Sequence, residues 1–197
     1  MLLTADQLIL ERKRVRQMRR RLNIFALRRA EKDTLFRLLQ HPNIQFKQHI
    51  GIYLDAFGEV PTTKLMLALF KQKKSVYLPI ICPMKQTLRW QKISLQQWRN
   101  QRFAMHRLGM KQAMQSRAHA ISYLDTVIMP LVLCDSFGHR VGMGGGFYDR
   151  TLAQAPQRPY RLGLAHDFQM SQFTIAAQPW DQSLDGLICP SGYLSFK

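Results

Sequence analysis

The stretch DTVIMPLVLCDSFGHRVGMGGGFYDR, residues 125–150, reads as a buried strand, a glycine loop and the start of a helix in one run. From 125 to 135 nearly every position is apolar, which is the pattern of a strand covered on both faces. Gly142, Gly144, Gly145 and Gly146 then fall within five positions, and FYDRTLAQA follows with the composition of a helix start. Glycine takes positive φ without cost and lets a ligand approach main-chain N–H groups. A strand, a glycine turn and a helix start together make a nest for phosphate oxygens. Two familiar phosphate loops do not fit. The dinucleotide fingerprint needs glycine where Phe147 stands, and the Walker loop needs a Gly-Lys pair followed by Ser or Thr. Asp149, just behind the glycines, suits a magnesium ligand, since Mg²⁺ takes one or two carboxylates together with phosphate oxygens.

Working outward, HIGIYLDAF (49–57) reads as a buried strand, GEV (58–60) as a turn, PTTKLMLALFKQKK (61–74) as a helix and SVYLPII (75–81) as the next strand. Strand, helix and strand in about 30 residues is the size of a right-handed βαβ unit. YRLGLAHD (160–167) and LDGLICP (184–190) supply two more short strands. This alternation predicts an α/β fold, a three-layer α/β/α arrangement with a largely parallel, open, Rossmann-like sheet. The length of 197 residues fits a single domain over 1–197. At its front, residues 4–29 predict one basic amphipathic helix, capped by Thr4 or Asp6. Leu8, Val15, Met18, Leu22 and Phe25 recur at helical spacing between Arg12, Lys13, Arg14, Arg16, Arg19, Arg20 and Arg21. A second helix is expected over EKDTLFRLLQ (31–40), stopped before Pro42. The Gln-, Arg- and Met-rich region 84–120 is expected to be a surface excursion between two strands.

Lys and Arg number 29 against 12 Asp and Glu, a net charge of +17. The partners implied are anions: nucleic acid, an acidic membrane, or phosphate- and carboxylate-rich small molecules. Cys82, Cys134 and Cys189 have no C-x-x-C spacing, so neither a disulfide framework nor a zinc site is read from them, and they fit a reducing compartment. The N-terminal charges follow a short apolar run, the reverse of a signal peptide. VIMPLVLC is too short to span a bilayer. A cytoplasmic protein that does not enter membranes is expected.

GHRVGMGGGFYDR resembles the glycine-rich signature of the 5-formyltetrahydrofolate cyclo-ligases, also called 5,10-methenyltetrahydrofolate synthetases. GEVPT with the helix and VYLP after it is similar to the family's folate-side segment. GLAHDFQ and WDQSLDGLICP are similar to its closing segments, and RKRVR to its basic N-terminal helix. The resemblance implies a monomer that uses ATP and Mg²⁺ to convert the small molecule 5-formyltetrahydrofolate, possibly polyglutamylated, to 5,10-methenyltetrahydrofolate. Nucleic acid is not an expected partner.

Carried over residue by residue, the resemblance implies an ATP-phosphate loop of Arg140, Val141, Gly142, Met143, Gly144, Gly145, Gly146, Phe147 and Tyr148. Arg12, Lys13 and Arg16 of the N-terminal helix are implied to join it. Met143, Gly144, Gly145, Gly146 and Phe147 would also border the folate, with Arg16, Leu54 and Glu59. Asp149 and Asp181 match the family's magnesium carboxylates. No catalytic residue is assigned, and neither His139 nor His166 is given a role. LGMKQAM (108–114) departs from the family: Lys111 and Gln112 stand there, and no proline does. Two competing readings remain at this stage. One is a basic nucleic-acid-binding protein, although no helix-turn-helix, zinc or RNP motif is present. The other is an ATP-dependent enzyme of the same fold acting on a different amide.

Overall fold

A computed structural model describes residues 2–106, 109–114 and 117–196; Leu108 of the LGMKQAM segment lies outside the described residues. Two helices open the chain, α1 (Ala5–Arg20) and α2 (Ile24–Gln40), and one turn follows, α3 (Pro42–Gln45). The single helix expected over 4–29 is therefore two. Thr4 caps α1 in a capping box with Gln7. Asn23 caps α2 by accepting from the Ala26 N–H at 2.8 Å, and that local competition for backbone donors breaks the run. The helix expected over 31–40 is the C-terminal part of α2.

β1 (His49–Gly51), α4 (Thr63–Lys71) and β2 (Ser75–Cys82) form the expected βαβ unit, with β1 parallel to β2. The strand is shorter than 49–57. Ile52 N still donates to Tyr77 O at 2.9 Å, but Phe57 and Gly58 take positive φ, 53° and 75°, and turn the chain away. Region 84–120 is not a surface excursion. It contributes β3 (Thr87–Ile93), α5 (Leu95–Arg99), the hairpin strands β4 (Phe103–Met105) and β5 (Lys111–Ala113), and β6 (Ala118–His119). β3 and β6 extend the main sheet antiparallel, and Trp90 on β3 is fully buried.

Then come β7 (Thr126–Pro130), β8 (Leu133–Cys134), β9 (Arg140–Val141), α6 (Phe147–Leu152), β10 (Tyr160–Leu164), β11 (Gly186–Cys189) and β12 (Gly192–Ser195). The apolar run 125–135 is split after Pro130, which has no N–H to continue a ladder. Its second half pairs with β9 in a separate hairpin.

The sheet order is β12-β11-β10-β7-β1-β2-β3-β6, with β11, β10, β7, β1 and β2 mutually parallel and antiparallel strands at both edges. Side chains alternate between two cores. Val76, Leu78, Ile80 and Ile128 face one, with Leu38, Leu65 and Leu69 of the α2–α4 layer. Tyr77, Val127, Met129 and Leu187 face the other, with Leu152 of α6. Each fully buried large apolar side chain contributes about 1.5–3 kcal/mol. The fold is thus the expected three-layer α/β/α arrangement, with a thin second helical layer. A third cluster, Leu3, Val15, Val132, Leu133, Val141 and Ile175, docks α1 onto the β8–β9 hairpin. Winding runs from β1 to β2 in one direction and from β7 to β10 and β11 in the other. The switch point lies between β1 and β7, where open α/β sheets leave a crevice at their C-terminal strand ends. Among the described residues no helix is long and apolar enough to cross a membrane.

Candidate active site

A cavity of about 900 Å³ opens at that switch point. Tyr53 and Leu54 line it after β1, Pro79 and Ile81 from β2, and Pro130 and Leu131 at the end of β7. The glycine loop, the segment 175–181 and the β4–β5 hairpin close it, and α1 crosses its mouth.

One end is built from the glycine loop. Gly144 has φ 98° and Gly146 has φ 62°, conformations that L side chains rarely adopt, and Gly146 leads directly into α6. Arg150 pins the loop by donating Nη2 to Gly145 O and Nε to Gln86 O, the latter at 3.0 Å. Arg140, on β9, donates Nη2 to Asp149 Oδ1 at 2.8 Å and lies over the Tyr148 ring at 5.6 Å. Its Nε is buried with no hydrogen-bond partner, and so is the Nε of Arg12. The Nη1 of Arg12 lies 3.7 Å from where a Cβ on Gly144 would stand. A buried charged donor without an acceptor is costly, so these two leave unmet donor capacity beside the loop.

Two carboxylates border this end. Asp149 uses Oδ1 for Arg140 and for the Gln182 N–H, at 3.2 Å; Asp181 uses Oδ2 for the Gln178 N–H, at 2.8 Å. Among the described residues no three His, Cys, Asp or Glu side chains gather to hold a metal. Two carboxylates beside a glycine loop are a donor set whose chemistry suits Mg²⁺, which needs only one or two carboxylates from a protein. A third carboxylate, the buried Asp135, has a structural part. It accepts N–H bonds from Phe137, His139 and Ile175 at 2.9–3.0 Å and pairs with His139 Nδ1, tying the β8–β9 hairpin to the closing segment.

Another part of the wall carries Glu59. Its Oε2 accepts the Ala56 N–H at 3.1 Å and its Oε1 lies 3.3 Å from Arg19 Nη2. Burial pushes the carboxyl up to about 7, against the pull of Arg19 and the Ala56 N–H. Tyr53 and Tyr148 stand near it, and burial drives both phenols upward, so they remain neutral donors. Tyr53 spends its proton on Val60 O at 2.7 Å.

Residues 6–190 match the model of the 5-formyltetrahydrofolate cyclo-ligase family. The chain belongs to that family. The 5-formyltetrahydrofolate cyclo-ligase of Escherichia coli K12 is 30% identical over 180 residues, covering 90% of this chain and 97% of the relative. That of Haemophilus influenzae is 28% identical over 176 residues, 88% of this chain and 92% of the relative. The NMR structure of Aquifex aeolicus 5,10-methenyltetrahydrofolate synthetase superposes with a TM-score of 0.80 at 22% identity, covering 95% of this chain and 91% of that one. A 5,10-methenyltetrahydrofolate synthetase from Mycoplasma pneumoniae superposes at 0.71 and 20% identity, covering 95% and 98%.

In this cyclo-ligase-family chain the cavity is lined by Arg12, Leu54, Glu59, Arg140 through Asp149, and Asp181. Lys13 is exposed and Arg16 half-buried, and neither lines it. Several lining residues were given no site role from sequence: Arg19, Tyr53, Pro79, Trp180, His106, and Lys111 and Gln112, which were noted only as a departure from the family. Arg19 had a legible signal. Leu8, Arg12, Val15 and Arg19 are spaced 4, 3 and 4 residues apart, one stripe of a helix, and Val15 in that stripe is buried. The hairpin was legible only as the altered LGMKQAM segment, whose resemblance to the family's pterin-side wall pointed to the region but not to residue roles.

Proposed function

We propose that this chain converts 5-formyltetrahydrofolate to 5,10-methenyltetrahydrofolate with consumption of ATP. One observation carries the reading: Arg12 and Arg140, each with a buried Nε that has no partner, line a cavity together with the glycine loop, and another part of the same wall presents the largely buried carboxylate of Glu59. The first part suits a polyphosphate. The second suits the N–H-rich edge of a pterin, which offers donors to a carboxylate.

A formamide carbonyl is a poor electrophile, and its oxygen leaves poorly. In the reaction the γ-phosphoryl group moves to the formyl oxygen and ADP departs. N10 of the folate then attacks the formyl carbon, loses its proton, and the C–O bond breaks to release phosphate and leave the five-membered ring. Phosphoryl transfer needs mainly alignment and charge neutralisation. Arg12, Arg140 and the N–H groups of Gly142 to Gly146 hold and orient the phosphates. Lys13 and Arg16 stand outside the cavity wall and would have to swing inward to join them. Glu59 and Leu54 orient the pterin, and Met143 and Phe147 separate the two substrates. Asp149 and Asp181 would hold Mg²⁺, which supplies neutralisation of the phosphate oxygens. The chain from 1 to 197 works as one unit, because residues 8 through 181 share this cavity. Three free cysteines suit a cytoplasmic enzyme.

The decisive assay follows the absorbance of methenyltetrahydrofolate formed from 5-formyltetrahydrofolate with and without ATP and Mg²⁺. ATP-dependent product is expected. A folded protein that binds ATP but forms no product would refute the reading and favour another amide as substrate.

A further inference from the structure

Arg19 sits at the end of α1 and is 1% exposed. A guanidinium carries its charge at all ordinary pH and has five N–H donors to place. Here Nε and Nη2 both donate to Phe57 O at 3.2 Å, Nη1 donates to Leu131 O at 3.1 Å, and Nη2 reaches Glu59 Oε1 at 3.3 Å. One side chain thereby joins the exit of β7, the turn after β1 and the carboxylate of the cavity. Phe57 at φ 53° is an unfavourable conformation for a bulky residue and needs holding from outside. Gly58 completes the fit: a Cβ there would stand 2.2 Å from Arg19 O. From the opposite side His166 donates Nε2–H to Gly58 O at 3.0 Å, the carbonyl being able only to accept.

We propose that Arg19 is a positioning residue for ring recognition, fixing the 57–59 turn and the Glu59 carboxylate so that it accepts paired N–H donors of a flat heterocycle. This rests on the cyclo-ligase reading of the same cavity. Stability alone does not account for the residue. A buried ion pair is seldom more stabilising than apolar side chains of like volume, and Arg19 shares its helix stripe with Val15, which is buried in an apolar cluster. The groups that bear on Glu59 are Arg19 from α1, Asp55 from its own segment, Tyr53 from the chain after β1, and Tyr148 from α6. Burial and Asp55 push the carboxyl up, and Arg19 is the charged group that pulls it down. Without Arg19, Glu59 would hold its proton to higher pH and more often offer a donor where an acceptor is required.

The experiment compares wild type, Arg19→Met and Arg19→Lys by a carbon-13 titration of labelled Glu carboxyls, with Glu59→Gln assigning the resonance, and by steady-state kinetics. In Arg19→Met the Glu59 resonance should titrate at least about one pH unit higher. KM for 5-formyltetrahydrofolate should rise about tenfold or more, the usual consequence of disturbing a charge-assisted hydrogen bond. KM for ATP should stay within about twofold. The acid limb of kcat/KM should move to higher pH, and Arg19→Lys, which keeps the charge, should restore the limb while recovering only part of KM. An unmoved carboxyl titration in Arg19→Met overturns the proposal, as does a fall in activity shared equally by ATP and folate. If Arg19→Met does not fold, Arg19→Lys decides: a wild-type KM and a wild-type limb together overturn it. Wild type forming no product would overturn the cyclo-ligase reading instead, and the carboxyl titration would still judge the hold of Arg19 on Glu59.

Discussion

The two ends of the cavity handle buried charge in opposite ways. At the glycine loop, Arg12 and Arg140 each keep a buried Nε with no partner. At the Glu59 turn, every nitrogen of Arg19 has an acceptor and both Glu59 oxygens have a neighbour. An unsatisfied buried donor is an electrostatic deficit that an arriving anion removes. A satisfied pair is a preformed surface that reads shape and hydrogen-bond pattern. The contrast separates a part of the wall with unmet donors from one whose hydrogen bonds are complete.

Three changes break or sharpen this comparison. Arg140→Ala strikes the deficient end, removing the Nε donor and freeing Asp149. Loss of one preorganised donor to developing charge typically lowers turnover about 10²–10³-fold. Steady-state kinetics should place that loss in ATP use, and a folate KM that rose as much as the ATP KM would erase the distinction between the ends.

Glu59→Gln strikes the satisfied end and adds a stability signature. The folded-state carboxyl is raised to about 7 from an ordinary 4.5. A raised value means stability that is full below the unfolded value and lost as pH rises through the folded one. Gln mimics the protonated form at every pH. Thermal melts should therefore show the variant gaining on wild type between pH 5 and pH 8, by on the order of a few kcal/mol. A constant difference across that range would show that Glu59 is not held in an unfavourable setting.

Lys13→Ala should do least. Lys13 is exposed on α1 and does not line the cavity. Surface substitutions of this kind stay within about 0.5 kcal/mol in stability, and ATP affinity should change less than about threefold. A larger loss of ATP affinity would mean that Lys13 swings inward when phosphate is bound, as family resemblance implies.

The deficient end was nearly all legible in the linear chain. Four glycines, Arg140 and Asp149 lie within ten positions, so strand, nest and carboxylate arrive together through local geometry. Asp181 came with a second short segment. The satisfied end was legible only in Leu54 and Glu59. Arg19 looked like one cation in a solvated run, because helical periodicity gives which residues share a face but not what that face meets. The break between α1 and α2 was a different kind of miss. Asn23 followed by Ile24 and Phe25 is a local cap signal, and the continuing basic pattern hid it.

Alternating strand and helix periods were sufficient to specify the α/β layers, since periods of 2 and 3.6 are dictated by backbone geometry. The glycine spacing was sufficient for the left-handed turns at Gly144 and Gly146, since tolerance of positive φ is a property of the residue itself. Burial of Arg19, the antiparallel β3 and β6 at the sheet edge and the hairpin over the cavity came from the folded packing. The burial of Arg19 depends on contacts 40 and 112 residues away, with Glu59 and Leu131, and β6 reaches back 27 to 29 residues to pair with β3. No local pattern encodes which distant surface a side chain will meet.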